Sequence, residues 1–347
     1  MSPDDENIPI LDADELPRAE PARFSPDQMV RCEACLRASP PTRTSCLYCG
    51  APLPLTEASA ALRRPALRKL EKWEQGFNHI FLPDSSAVIA EESLGEMADL
   101  LRLEPEELRG ILATGEPLPL ARVATFDEAS LIERRLGALG VRSLIISDQD
   151  LALDTSPAKR MRALEFTDGT LLGYAVGGTE ALRIPWEDIL LFVAGRHHLR
   201  HVEVEERPGR GPDGEMLEAR ELSADEALLD LYTAQRDGGW RIAAHGFHFS
   251  CLGQQKSLLA AENFKNLTDH LRERAWRAAY DDSYMRLRHA LAQVWPPEQS
   301  TESRGWRREL PGRYSTEAVT TSDNERQFTR YSRLRHHLKL RQSGSNV

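Results

Sequence analysis

Arg31–Gly50 reads RCEACLRASPPTRTSCLYCG, and this stretch holds four of the five cysteines in a chain of 347 residues. Two residues lie between Cys32 and Cys35, two between Cys46 and Cys49, and ten between the pairs. A C-x2-C pair can turn two sulfurs toward one ion from a tight turn, and two such turns complete a tetrahedron. Gly50 follows the second pair directly. Its backbone freedom lets the chain curl so that amides approach the sulfurs. The intervening RASPPTRTS is rich in turn formers, as a short connection should be. Cys32, Cys35, Cys46 and Cys49 are therefore the candidate metal ligands.

This spacing resembles a zinc ribbon, and CLYCG is similar to the second knuckle of that family. The resemblance covers residues 31–50 only and implies a structural Zn²⁺. Four protein ligands leave no open coordination position, which disfavours a catalytic zinc. So short a module buries too little apolar surface to fold unaided, so metal binding must supply the folding free energy. Four thiolates around Zn²⁺ carry a net charge of about −2. Arg31, Arg37 and Arg43 are close enough in sequence to balance it. Phosphate contact is the sharper reading of those arginines, but no aromatic pair accompanies them for base stacking.

The bulk numbers fit a polar globular protein, with 41% hydrophobic and 28% charged residues. A net charge of −10 argues against a general nucleic-acid or anionic-membrane binder. Acids crowd the first thirty residues and bases the last forty-five, an asymmetry found in interaction tails and solvated ends alike. The opening MSPDDENIPILDADELP lacks the basic and apolar regions of a signal peptide. IPWEDILLFVAG is too short and too acidic to span a bilayer. The expected setting is cytoplasmic, where clustered cysteines favour metal over disulfides.

Outward from the ribbon, the pattern predicts an α+β multidomain chain. Residues 1–30 read as an acidic tail, 31–53 as the ribbon and 54–92 as a linker helix. That helix would place Leu67, Leu70, Trp73 and Phe77 on one stripe. In 93–155, Ser93 with Glu96 reads as a capping box opening one helix, and a second starts at Glu104-Pro105 and stops at Gly115. The acidic first turn of the second helix disfavours DNA reading. A strand at 120–124, a helix capped by Thr125 and Glu128, and a strand at 141–146 then form a strand–helix–strand unit. ATFDEASLIERRLGALGV resembles the crossover of small ferredoxin-like domains, including a bacterial family of putative signal-transducing proteins. No functional residue transfers with that likeness.

From 158 to 292 the period becomes that of strands. ALEFTDGTLLGYAV predicts a hairpin about Thr167-Asp168-Gly169. Further strands follow, then a helix with Ala260, Phe264, Leu267 and Leu271 on one face. This succession, with LRIPWEDILLF, resembles a bacterial pleckstrin-homology-like antiparallel barrel closed by a C-terminal helix. Residues 293–347 read as a basic extended arm.

No catalytic set emerges. His245-x2-His248-x2-Cys251 offers soft donors, yet residues three apart on a strand point to opposite faces. His197, His198 and His201 read as a solvated or locally bonded cluster. The expected function is a non-enzymatic adaptor or regulatory protein with an unidentified protein partner. One alternative is nucleic-acid or ribosome association through the ribbon and basic arm. A Cys251-dependent hydrolase is the other.

Overall fold

In the computed structural model, described residues are 24–43, 45–54, 59, 67, 70–71, 74–83, 90–153, 157–207, 215–235, 239–310 and 313–344. The chain divides into two compact units, Met1–Pro65 and Ala66–Val347. The expected acidic tail and most of the expected linker helix fall outside the described residues. So does Trp73.

The first unit has one small sheet, in which β1 (Val30–Arg31) pairs antiparallel with β2 (Ala38–Ser39). Its buried core is Val30, Cys32, Cys46 and Leu53. Two of those four are cysteines, so removing the sulfurs would leave almost no core.

The second unit begins with β3 (Phe77–Phe81), which the sequence pattern hid. Phe77 starts this strand rather than extending a helical stripe from Leu67 and Leu70. Two helices follow, α1 (Glu91–Leu101) and α2 (Pro105–Ala113). The first opens at Ala90, not at Ser93, because Glu91 and Glu92 already occupy its electrostatically favoured first turn. The second is capped by Glu104 and Glu107 with Pro105 at its start. Next come β4 (Pro119–Val123), α3 (Phe126–Ala138) and β5 (Ser143–Ser147). The Glu128 amide donates to the Thr125 hydroxyl at 3.3 Å, as the capping pattern predicts. β4 and β5 do not touch. They flank β3, and each runs antiparallel to it.

The large sheet follows β6 (Lys159–Phe166), β7 (Thr170–Ala175) and β8 (Ala181–Pro185). The β6–β7 turn closes where expected: the Thr167 hydroxyl accepts from the Thr170 amide at 3.0 Å and donates to its carbonyl at 2.8 Å. Two strands of 19 residues come next, β9 (Ile189–Arg207) and β10 (Glu215–Thr233), paired along their length. Short β11 (Trp240–Ala243) then runs parallel to β6. Beyond it lie α4 (Ala260–Arg274), β12 (Ala279–Asp281) and α5 (Tyr284–Ala292).

No closed barrel forms among the described residues. The sheet is open, with order β13-β14-β9-β10-β11-β6-β7-β8 and β12 added beside β9. Two of its strands come from the stretch expected as an extended arm. That stretch is a hairpin, β13 (Glu298–Leu310) and β14 (Arg313–Asp323), followed by helix α6 (Glu325–Gly344).

Alternation along β9 and β10 gives the sheet two apolar faces. Phe192, Leu229 and Leu231 pack with Phe264, Leu267 and Leu271 of α4. Leu191, Val193, Leu228 and Tyr232 pack with Tyr284 of α5 and with Phe328, Tyr331 and Leu334 of α6. This second core continues into Ile80, Leu108, Ile132 and Ile146. The boundary expected near residue 156 therefore has a hydrophobic core running across it. Gly195 admits the close approach of α6: a Cβ there would sit 2.3 Å from the Phe328 ring. Among the described residues, no helix is long and apolar enough to cross a membrane.

Candidate metal centre

The two halves of the cysteine motif adopt one conformation twice. The Cys32 amide donates to the Arg37 carbonyl at 2.9 Å and the Cys46 amide to the Ala51 carbonyl at 2.8 Å. Within each turn a second bond returns, from Leu36 to the Cys32 carbonyl at 2.9 Å and from Gly50 to the Cys46 carbonyl at 3.1 Å. Leu36 and Gly50 hold equivalent left-handed positions, with φ of 62° and 72°. Glycine reaches that region freely, whereas Leu36 is strained there. β1–β2 pairing and a bridge between Ser45 and Pro52 tie the turns into one module.

The turns bring four sulfurs together, all within 4.8 Å of one another. Cys32 and Cys49 are 3.6 Å apart, and Cys35 and Cys46 are 3.5 Å apart. A disulfide needs about 2.05 Å. Sulfurs at the corners of a tetrahedron with Zn–S of about 2.3 Å lie about 3.8 Å apart. The spacing fits an ion in the centre rather than bonds between pairs. Cys32 and Cys46 are buried, Cys35 is half-buried and Cys49 is exposed.

Donors surround the best-formed ligand. The Tyr48 amide reaches Cys46 Sγ at 3.4 Å and the Ser39 hydroxyl reaches it at 3.6 Å. Chiefly through the Tyr48 amide, the Cys46 thiol is lowered to about 6. At Cys49 the Ala51 backbone pulls down, but the neighbouring Cys35, Cys32 and Cys46 thiols and the desolvation they impose on the sulfur outweigh it, and the thiol rises to about 12. Four sulfurs this close cannot all ionise alone; a divalent cation removes the conflict. The cluster thus has the donor type, number and geometry to bind a metal ion such as zinc. Of the nearby arginines, Arg37 stacks over Tyr48 at 4.9 Å and Arg43 donates to the Ser45 carbonyl at 3.4 Å.

Elsewhere the sequence candidates scatter. His245, His248 and Cys251 share no cluster of ligand atoms among the described residues. β11 ends at Ala243, and Cys251 lies in a 3-10 turn at Phe249–Gln255, not on the expected strand. Exposed His245 faces Glu226 at 3.4 Å, and burial pushes the Cys251 thiol up to about 11. His201 bonds Thr321 at 2.9 Å. His197 does gather with Asp323 and Glu325. Each of these three is already engaged: Asp323 meets His197 at 3.0 Å and the Glu325 amide at 2.7 Å, while Glu325 meets Arg241 at 3.2 Å. The trio anchors the start of α6. Comparison with protein-family models, curated proteins and solved structures finds no match, so the four-cysteine geometry itself carries the assignment.

Proposed function

We propose that the chain is a non-enzymatic adaptor or regulatory protein whose N-terminal module is built on a structural Zn²⁺ held by Cys32, Cys35, Cys46 and Cys49. One observation carries this reading: the module spends all four sulfurs on a closed set and exposes apolar side chains beside it. Leu36, Leu47 and Tyr48 are 66%, 52% and 58% exposed at the turns that carry the ligands. Closed coordination supports structure rather than catalysis. Exposed apolar residues on a rigid, metal-organised turn suit protein recognition.

The nucleic-acid reading draws less support. The basic residues of α6 are largely occupied inside the fold: Arg326 pairs with Glu298 and Arg335 with Glu116 and Asp281. Arg333 donates to the Leu151 and Ala152 carbonyls.

The test compares the full chain with the double variant Leu36→Ser, Tyr48→Ser in affinity purification from the native host. The reading expects a near-stoichiometric protein partner on the wild type, lost from the double variant while zinc content is unchanged. A partner retained equally by both chains, or salt-sensitive retention of RNA instead, would count against it.

A further inference from the structure

Three arginines are buried among the described residues: Arg241, Arg330 and Arg333. Arg241 grips Asp230 with two bonds of 2.7 and 2.8 Å, and Arg333 donates to two carbonyls. Arg330, only 9% exposed, has no hydrogen-bond or ion-pair partner among the described residues, and its Nε is both buried and unsatisfied. A buried guanidinium without a partner is costly, and burial lowers Arg330 to about 10. Asp148 and Glu298 attract it from a distance without bonding to it, and the repulsion of Arg122 and Arg326 offsets part of that attraction. Asp148 already accepts from the Gly76 amide at 2.9 Å, from Asn78 at 2.9 Å and from Arg122 at 2.9 Å.

Arg330 lines a cavity of about 620 Å³ in the second unit. Arg326 joins it from one turn earlier on α6, Arg122 from β4 and Arg102 from the end of α1. Arg326 is already paired with Glu298 at 3.5 Å, so the charge left without a bonded partner in the lining is that of Arg330. The opposing charges are Glu71 and Glu298 in the lining and Asp148 behind Arg122. Among the described residues, four guanidinium groups against three carboxylates leave a surplus of one positive charge, centred on Arg330. The rest of the wall is mainly apolar, with Leu70, Leu101, Leu103, Leu120, Val294 and Pro296, interrupted by Gln293 and Gln299. The volume falls within the range of small-molecule sites.

We propose that this cavity binds a small organic carboxylate, its head group on the Arg330 guanidinium and its hydrocarbon body against the leucine wall. A single surplus charge matches a carboxylate better than a dianionic phosphate. The planar guanidinium fork also matches a carboxylate edge.

The experiment titrates the full chain with hexanoate by calorimetry, with acetate, hexanol and inorganic phosphate as probes at constant ionic strength. Hexanoate should bind saturably. Acetate lacks the body and hexanol the charge, so each should bind at least roughly tenfold more weakly. Arg330→Met should weaken hexanoate at least roughly tenfold, without lowering the thermal midpoint of the free protein, because it deletes an unpaired buried charge. Arg330→Lys keeps the charge but loses the fork, so its hexanoate affinity should fall between wild type and Arg330→Met. Absence of saturable hexanoate binding to wild type would overturn the proposal. So would equal hexanoate affinity in folded Arg330→Met or Arg330→Lys, or phosphate binding more tightly than hexanoate.

Discussion

His79 sits in the central strand of the small sheet, fully buried, and neither ring nitrogen has a hydrogen-bond partner among the described residues. Burial lowers it from 6.5 to about 4, with only a partial opposing push from the Ala129 backbone. The folded chain therefore carries a neutral imidazole that the unfolded chain protonates first. Stability should be full above about pH 6.5 and fall as pH drops toward 4, by about 3 kcal/mol in total. His79→Leu should flatten that limb in urea titrations across this range; an unchanged slope would mean that another group controls it. Gly50 shows how one φ angle serves the metal site. A Cβ added to its left-handed backbone would meet no atom within 4 Å, so Gly50→Ala should cost only the conformational strain, about 1 kcal/mol. That corresponds to roughly fivefold weaker Zn²⁺ affinity in chelator competition.

At the scale of elements, α6 is fixed by a close backbone approach and by buried polar pairs. Phe328 lies against Gly195, Arg241 lies 5.1 Å over the Phe328 ring, and the Tyr232 hydroxyl meets Ser332 at 2.8 Å. Gly195→Ala forces methyl and ring into one space, so it should cost about 1–3 kcal/mol by chemical denaturation. Adding Phe328→Leu should recover part of that loss; strict additivity would refute the contact. These details explain what the sequence concealed. The buried face of α6 includes Ser332, Arg333 and His336, a pattern that reads as solvated when their partners Tyr232, Leu151 and Thr233, a hundred or more residues away, are invisible. β9 was legible as two separate strands, ILLFVA and LRHVEVEE; that they form one strand of 19 residues was not, because the pairing with β10 and β14 that unites them comes from distant chain. β3 was hidden because FNHIF follows leucines at helical spacing. Local signals fared better: the Thr125 cap, the Thr167 turn and the doubled cysteine turns each depend on neighbours in the chain.

For the whole molecule, the separation of cores sets the expectation. Val30, Cys32, Cys46 and Leu53 form a cluster of their own, apart from the two cores that share the large sheet. Cys46→Ser should therefore abolish stoichiometric zinc and unfold the first unit, while the main thermal transition shifts by less than about 2 °C. Simultaneous loss of both transitions would show that the units fold as one. The candidate metal centre was legible because its ligands lie within eighteen residues and each pair forms its own turn. The arginine cavity was not, since Arg122 on β4 and Arg330 on α6, about two hundred residues apart in the chain, meet only in the folded lining.

X-ray absorption at the zinc edge, on reduced full-length protein purified without added metal, addresses the coordination directly. One zinc per chain with four sulfur neighbours at about 2.3 Å is the expected result. A shell containing nitrogen or oxygen, or protein free of bound metal yet still folded at residues 30–53, would contradict it.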